Sequence, residues 1–145
     1  MRLDRNRVLW HPDIMLHALF APPPRITDLE PEEALLVRAA RHWVRAQGAG
    51  CPLHAAGRVL GSSTAANALH LMLATLGAAW PEPFTIAQPC CSRLTHDEAT
   101  MVAAVLASRR HPRPVFDALL AEILDQDARD RLFDAARSLG AAVAL

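Results

Sequence analysis

The chain has 145 residues, with 15 basic and 15 acidic side chains that give a formal net charge of zero at pH 7. The length suits one domain, and a hydrophobic content of 52% argues against a disordered chain. Because every basic residue is an arginine, catalysis by a Schiff-base lysine and phosphate binding by a phosphate-loop lysine are both excluded.

The N-terminal residues do not have the pattern of a secretory signal. Polar residues and prolines interrupt the stretch that follows the first arginines, and no window of about 20 residues is apolar enough to span a membrane. The three cysteines do not make a complete set of disulfides, which favours a reduced, cytoplasmic protein. We expect a single domain over 1–145, with 1–11 and 141–145 loosely ordered.

Proline, serine and glycine residues mark the starts and ends of the helices predicted in the first half of the chain. These helices cover about 12–20, 31–47, 52–60 and 63–77. Residues 80–94 are rich in proline and are predicted to form an irregular connection. Phe84 to Ile86 has extended character there, but three residues do not make a sheet.

The second half begins with a capping box, in which Thr95 and Glu98 satisfy each other's backbone amides at the start of a helix. This helix should run to Arg109 or Arg110. A last pair of helices is predicted at about 114–124 and 127–139.

Apolar residues share one face of these helices at about 100° per residue. The faces consist of Leu36, Ala39, Ala40 and Trp43 in the second helix, Met101, Val102, Val105 and Leu106 in the fifth, and Phe116, Leu119, Leu120 and Ile123 in the sixth. With strand-forming residues sparse, the sequence predicts an all-α fold, an irregular bundle of about six helices.

Cysteine and histidine residues form the first candidate site. Cys51 and His54 have the C-x-x-H spacing of two zinc ligands, and Cys90, Cys91 and His96 supply further thiolate and imidazole donors. A metal- or thiol-dependent protein is therefore one hypothesis, with zinc as its cofactor. The alternative is that these are ordinary cysteines at helix boundaries. About 35 residues separate the first pair of candidate ligands from the others, and no second closely spaced ligand pair of the C-x-x-C or H-x-x-x-H type is present.

Three arginines form the second candidate site. Arg38, Arg41 and Arg45 fall within about 60° of each other on the predicted polar face of the second helix. Arginine binds carboxylates and phosphates bidentately, so this stripe is a candidate for binding an acidic partner. The alternative is a solvated helix face. Few aromatic residues and a neutral charge argue against nucleic acid.

No catalytic residue is predicted. The chain has no G-x-S-x-G, H-E-x-x-H or G-x-G-x-x-G motif, and helix capping accounts for Asp97 and Glu98. A small-ligand carrier with a pocket between the fourth and fifth helices remains a third hypothesis.

Charge is unevenly distributed along the chain, because residues 51–92 carry only Arg58 and Glu82 as charged side chains. Such an uncharged centre suits burial in a symmetric dimer. The leading functional hypothesis is thus a non-enzymatic helical interaction or regulatory module, with a protein partner or a second copy of itself.

The run from Cys90 to Glu98, with the pattern C-C-x-x-L-T-x-D-E, precedes an Ala/Leu/Val helix and the segment Val115 to Leu120. In these features the chain resembles small helical proteins of GC-rich proteobacteria that carry a domain-of-unknown-function label. The resemblance covers about 31–140. It implies a helical fold and no particular activity.

Overall fold

A computed structural model describes residues 22–145 of the chain. A 3-10 helix, Ile26–Asp28, precedes six α-helices in this range. They are α1 Pro31–Ala46, α2 Pro52–Leu60, α3 Ser63–Ala79, α4 His96–Arg110, α5 Arg113–Leu120 and α6 Gln126–Ala142. Residues 22–145 contain no strand, only an isolated antiparallel bridge between Arg25 and Arg93. The predicted all-α fold is confirmed.

The helix starts follow from the local sequence. Proline occupies the first turn of α1, α2 and α5, where its missing amide costs no hydrogen bond. Ser62 and Asp125 cap α3 and α6 by accepting the amide three residues later. Gly61 ends α2 with a φ of 67°, a left-handed conformation that glycine adopts without strain.

Helix α6 lies at the centre of the packing, because both α3 and α4 contact it extensively. Helix α1 packs against α2, α2 packs against α3, and α5 packs against α4. One continuous core results, and its largest fully buried apolar side chains come from all the helices except the short α2. They include Leu36, Leu69, Met72, Met101, Phe116 and Leu139.

The predicted apolar faces are largely buried. Leu36, Ala39, Ala40 and Trp43 of α1 and Met101, Val102 and Val105 of α4 belong to the core, whereas Leu106 and Leu119 are half-buried. Ile123 is the exception, with 37% of its surface exposed. The helix that was expected to carry it to residue 124 ends at Leu120, where a turn begins.

The C-terminal residues continue and cover the last helix. Helix α6 continues to Ala142, and Leu145 is buried, with its amide donating to the carbonyl of Gly140. The predicted helix at 12–20 and the predicted loose segment 1–11 lie outside the described residues. No helix within 22–145 is long and apolar enough to cross a membrane.

Candidate functional site

The connection between α3 and α4 is held in place by the first turn of α4. Thr85 donates its amide to Asp97 Oδ2 at 2.7 Å, and its carbonyl accepts the Thr95 hydroxyl at 2.7 Å. Ala87 donates its amide to Glu98 Oε1 at 3.0 Å. Thr85 and Ala87 thus both face the start of α4. In an extended chain, every second residue faces the same side. Residues 85–87 are therefore an extended segment fixed along one edge.

Glu98 also forms a bidentate ion pair with Arg41 of α1. The Arg41 Nε lies 2.8 Å from Glu98 Oε1, and Nη2 lies 3.0 Å from Oε2. Two further N–H groups of the guanidinium donate to the carbonyls of Cys91, at 2.6 Å from Nη1, and Arg93, at 3.0 Å from Nη2. Both side chains are completely buried. One arginine thus joins α1, the connection and α4.

The capping box predicted at Thr95 and Glu98 is confirmed and forms part of this pair. Thr95 Oγ1 accepts the Glu98 amide at 3.0 Å, while Glu98 Oε2 accepts the Thr95 amide at 2.9 Å. A buried ion pair is retained at low cost only when hydrogen bonds satisfy its remaining polar atoms, as they do here. Its hydrogen bonds to Glu98 raise the pKa of the Arg41 guanidinium above its usual value.

This arrangement corrects the predicted arginine stripe. Arg38 and Arg45 are exposed on α1 as expected, but Arg41 is buried and paired with Glu98. The buried residues of α1 span about 220° of its circumference at ~100° per residue, rather than the predicted 100°. The connection covers Arg41, which donates to the carbonyls of Cys91 and Arg93, and makes it inaccessible to a partner. Helix capping accounts for Glu98 in the sequence, where nothing indicates its ion pair with Arg41.

A groove of about 480 Å³ lies beside this ion pair, between the C-terminal half of α1 and the connection. Its lining residues are Arg41, Val44, Arg45, Ile86, Ala87, Gln88, Pro89 and Cys90. No acidic residue belongs to this lining, and the exposed guanidinium of Arg45 is paired with no acid within residues 22–145. The groove combines apolar walls with an available positive charge.

The outer face of α3 has an unusual composition for a solvent-exposed helix face. It consists of Ser63, Thr64, Asn67, His70, Leu71, Ala74, Gly77 and Ala78, all exposed and none carrying a formal charge when histidine is neutral. The exposed fraction of Leu71 is 56%. Solvent-facing sides of amphipathic helices normally carry charged residues, whereas a helix that is apolar all round is typically buried.

His70, on this face, is oriented by α1. The Trp43 indole donates to His70 Nδ1 at 3.2 Å, and the ring centroids are 5.6 Å apart. Because indole is only a donor, Nδ1 must be unprotonated, so the neutral ring carries its proton on Nε2. The imidazole therefore adds no charge to the outer face of α3 in this state.

The candidate cysteine and histidine ligands are not assembled into a metal site. Cys51, His54, Cys90, Cys91 and His96 are all exposed, and the three thiols are free. His54 lines a separate cavity of about 450 Å³ between α2 and α3, whereas Cys90 lines the groove beside α1. Within residues 22–145, no three His, Cys, Asp or Glu side chains are close enough together to hold a metal ion.

The hypothesis of a small-ligand carrier places a pocket between α3 and α4. Helices α3 and α4, which were to enclose it, each pack against α6 rather than against one another. The cavity of about 450 Å³ lies instead on the α2 side of α3.

Comparison with known proteins gives no relative from which a function can be transferred. No protein-family model matches the chain, and no curated protein and no solved structure shows significant similarity to it. The functional argument therefore rests on its own residues.

Proposed function

We propose that the protein is a non-enzymatic helical interaction module of the cytoplasm and that it associates with a second copy of itself through the outer face of α3. The observation that carries this proposal is the absence of formal charge from all eight exposed positions of that 17-residue helix. The face extends over about 25 Å at 1.5 Å per residue. Its exposed leucine, Leu71, lies near the middle of the helix.

A second copy suits this face because a two-fold contact places each patch against an identical patch. Charged residues near the two-fold axis would face their own copies and repel one another. The outer face of α3 avoids that repulsion. Its small residues Ala74, Gly77 and Ala78 also permit two helices to approach closely, toward the lower end of the usual 8–10 Å between axes.

The expected association is weak. One face of a helix about 25 Å long and 10 Å wide buries less than the roughly 1,600 Å² of a standard interface. We therefore expect a dimer with a Kd on the order of 10–100 µM.

Sedimentation velocity across a range of protein concentrations tests the proposal. The wild-type chain should shift from monomer to dimer, and Ala74→Glu should remain monomeric because it places two carboxylates near the symmetry axis. Ala118→Glu, at an exposed position of α5, is the matched control and should dimerise like the wild type. A wild-type chain that is monomeric at 1 mM would contradict the proposal.

A further inference from the structure

The groove beside α1 presents one edge of an extended backbone. Thr85 directs its amide and carbonyl, and Ala87 its amide, to the start of α4, so the extended geometry directs the polar groups of Ile86 away from it. No hydrogen bond from residues 22–145 satisfies the amide or carbonyl of Ile86 or the amide of Gln88. Both residues line the groove. An extended chain with such an edge is suited to pair with another extended chain.

Charge indicates what kind of chain would fit. Arg45 lines the groove, and Arg38 lies on the same exposed side of α1, about 20° away at ~100° per residue. Their separation of seven residues corresponds to about 10.5 Å along the helix at 1.5 Å per residue. In an extended peptide, side chains four positions apart point to the same side and lie about 13 Å apart, a difference from 10.5 Å that two long arginine side chains can span. Two carboxylates at that spacing match both arginines.

The walls of the groove add an apolar requirement. Val44 from α1 and Ile86 and Pro89 from the connection provide aliphatic surface. The base is rigid, since the buried pair of Arg41 and Glu98 fixes the connection relative to α1. A bound segment would therefore meet a preformed site and would lose little additional free energy in ordering it.

We propose that this groove binds an extended segment of another protein in which two acidic residues, four positions apart, flank aliphatic residues. The segment pairs its backbone with Ile86 and its carboxylates with Arg45 and Arg38. This site involves none of the exposed residues of α3, so the proposal is independent of self-association.

Fluorescence anisotropy with the full-length chain tests it. The probe is a labelled eight-residue peptide, acetylated and amidated, with two glutamates four positions apart and three valines between them. We expect a Kd on the order of 100 µM, and Arg45→Ala should weaken binding about tenfold through loss of charge-assisted hydrogen bonds. Arg137→Ala, an exposed arginine of α6, is the matched control and should leave the Kd unchanged.

Two altered peptides separate the contributions of charge and backbone. Replacing both glutamates with glutamine should weaken binding at least tenfold. Methylating the amide of one central valine at a time should abolish binding for the valine that pairs with Ile86. Absence of binding at 1 mM, or equal affinities of the wild-type chain and Arg45→Ala, would overturn the proposal.

Amide and methyl NMR spectra of the free chain distinguish other occupants. Shifts of the Ile86 and Gln88 amides on diluting the protein alone would assign the groove to a second copy. Nuclear Overhauser contacts between Val44 methyls and residues 1–21 would assign it to the chain's own N-terminal part. Either result would overturn the proposal. Peptide-dependent shifts confined to α1 and the connection would support it.

Discussion

At the scale of single residues, Glu98 performs two structural tasks with one carboxylate. It completes the capping box of α4, and it neutralises Arg41, which binds two carbonyls of the connection. The connection has little regular secondary structure of its own, and these contacts join it to α1, while Trp80, Phe84 and Ile86 pack against the core. Because both side chains are buried, removal of either leaves an unpaired charge in the interior.

Glu98→Gln and Arg41→Met should each lower the free energy of unfolding by about 3–5 kcal/mol, as expected for breaking a buried ion pair. The double variant should lose less than the sum, because neither charge then remains unpaired. Arg38→Met, an exposed control on the same helix, should change stability by no more than about 0.5 kcal/mol. Urea denaturation measures the free energy of unfolding of all four variants. Strictly additive single losses would show that the two residues do not act as a pair.

Glu33 in the first turn of α1 gives a pH-dependent prediction. Burial raises the pKa of its carboxyl group above the usual value of 4.5, although the nearby Arg110 opposes the shift. Folding therefore favours the protonated form. The stabilisation that the protonated carboxyl group contributes is complete below the pKa of Glu33 in the unfolded state. It is lost as the pH rises through the pKa of Glu33 in the folded state.

The variant Glu33→Gln should consequently be slightly more stable than the wild type at pH 7, by up to about 0.5 kcal/mol. The advantage should disappear below pH 4, where Glu33 is protonated. Thermal unfolding at both pH values measures the difference. A variant that is less stable at pH 7 would mean that the favourable interaction of Glu33 with the helix dipole outweighs the cost of its burial.

Helical periodicity alone does not predict which residues of α1 are buried. Periodicity correctly placed Arg38 and Arg45 on the exposed side of α1, but it assigned Arg41 to the same stripe. The error arose because α1 is covered by the connection as well as by other helices, which a single-helix projection does not include. The capping box identified Glu98, whereas its long-range partner 57 residues away had no signal in the sequence.

At the scale of elements, α4 and α6 approach closely at Gly140. A Cβ atom at this position would lie 2.5 Å from Arg109 Cγ and 3.2 Å from Val105 Cγ1. These distances are too short for unperturbed packing. A glycine in the interior of α6 is therefore explained by helix contact rather than by backbone conformation.

Gly140→Ala should lower the free energy of unfolding by about 1–2 kcal/mol, since the cost of overpacking exceeds the gain in helix propensity. Gly77→Ala is the matched control in α3, where an added Cβ meets nothing within 4 Å. That change should raise stability by about 0.4–1 kcal/mol. Thermal or urea unfolding compares them. A stabilising Gly140→Ala would contradict the close approach of α4 and α6.

Element boundaries were predictable wherever a local signal marks them. Proline, serine and the capping box located the starts of α1 to α4, and Gly61 located the end of α2. The end of α5 was not predicted. Its apolar pattern continues to Ile123, but Ile123 and Leu124 both donate amides to the carbonyl of Leu120, and Asp125 then caps α6.

At the scale of the whole molecule, some residues of the uncharged centre of the sequence, 51–92, are buried and others are exposed to solvent. Its apolar residues in α3 pack against α2 and α6, while the outer face of the same helix is exposed. Composition predicted a nearly uncharged region without indicating which of its residues face solvent. The metal hypothesis was limited in the same way, because sequence spacing does not determine whether Cys51 and Cys90 approach each other.

The central proposal, self-association through α3, is tested most directly by amide NMR spectra of the wild-type chain at about 20 µM and 1 mM. We predict concentration-dependent shifts for the exposed residues of α3, centred on Leu71 and Ala74, with α5 unchanged. The same spectra of Ala74→Glu should not depend on concentration. Absence of wild-type shifts, or shifts confined to helices other than α3, would contradict the account.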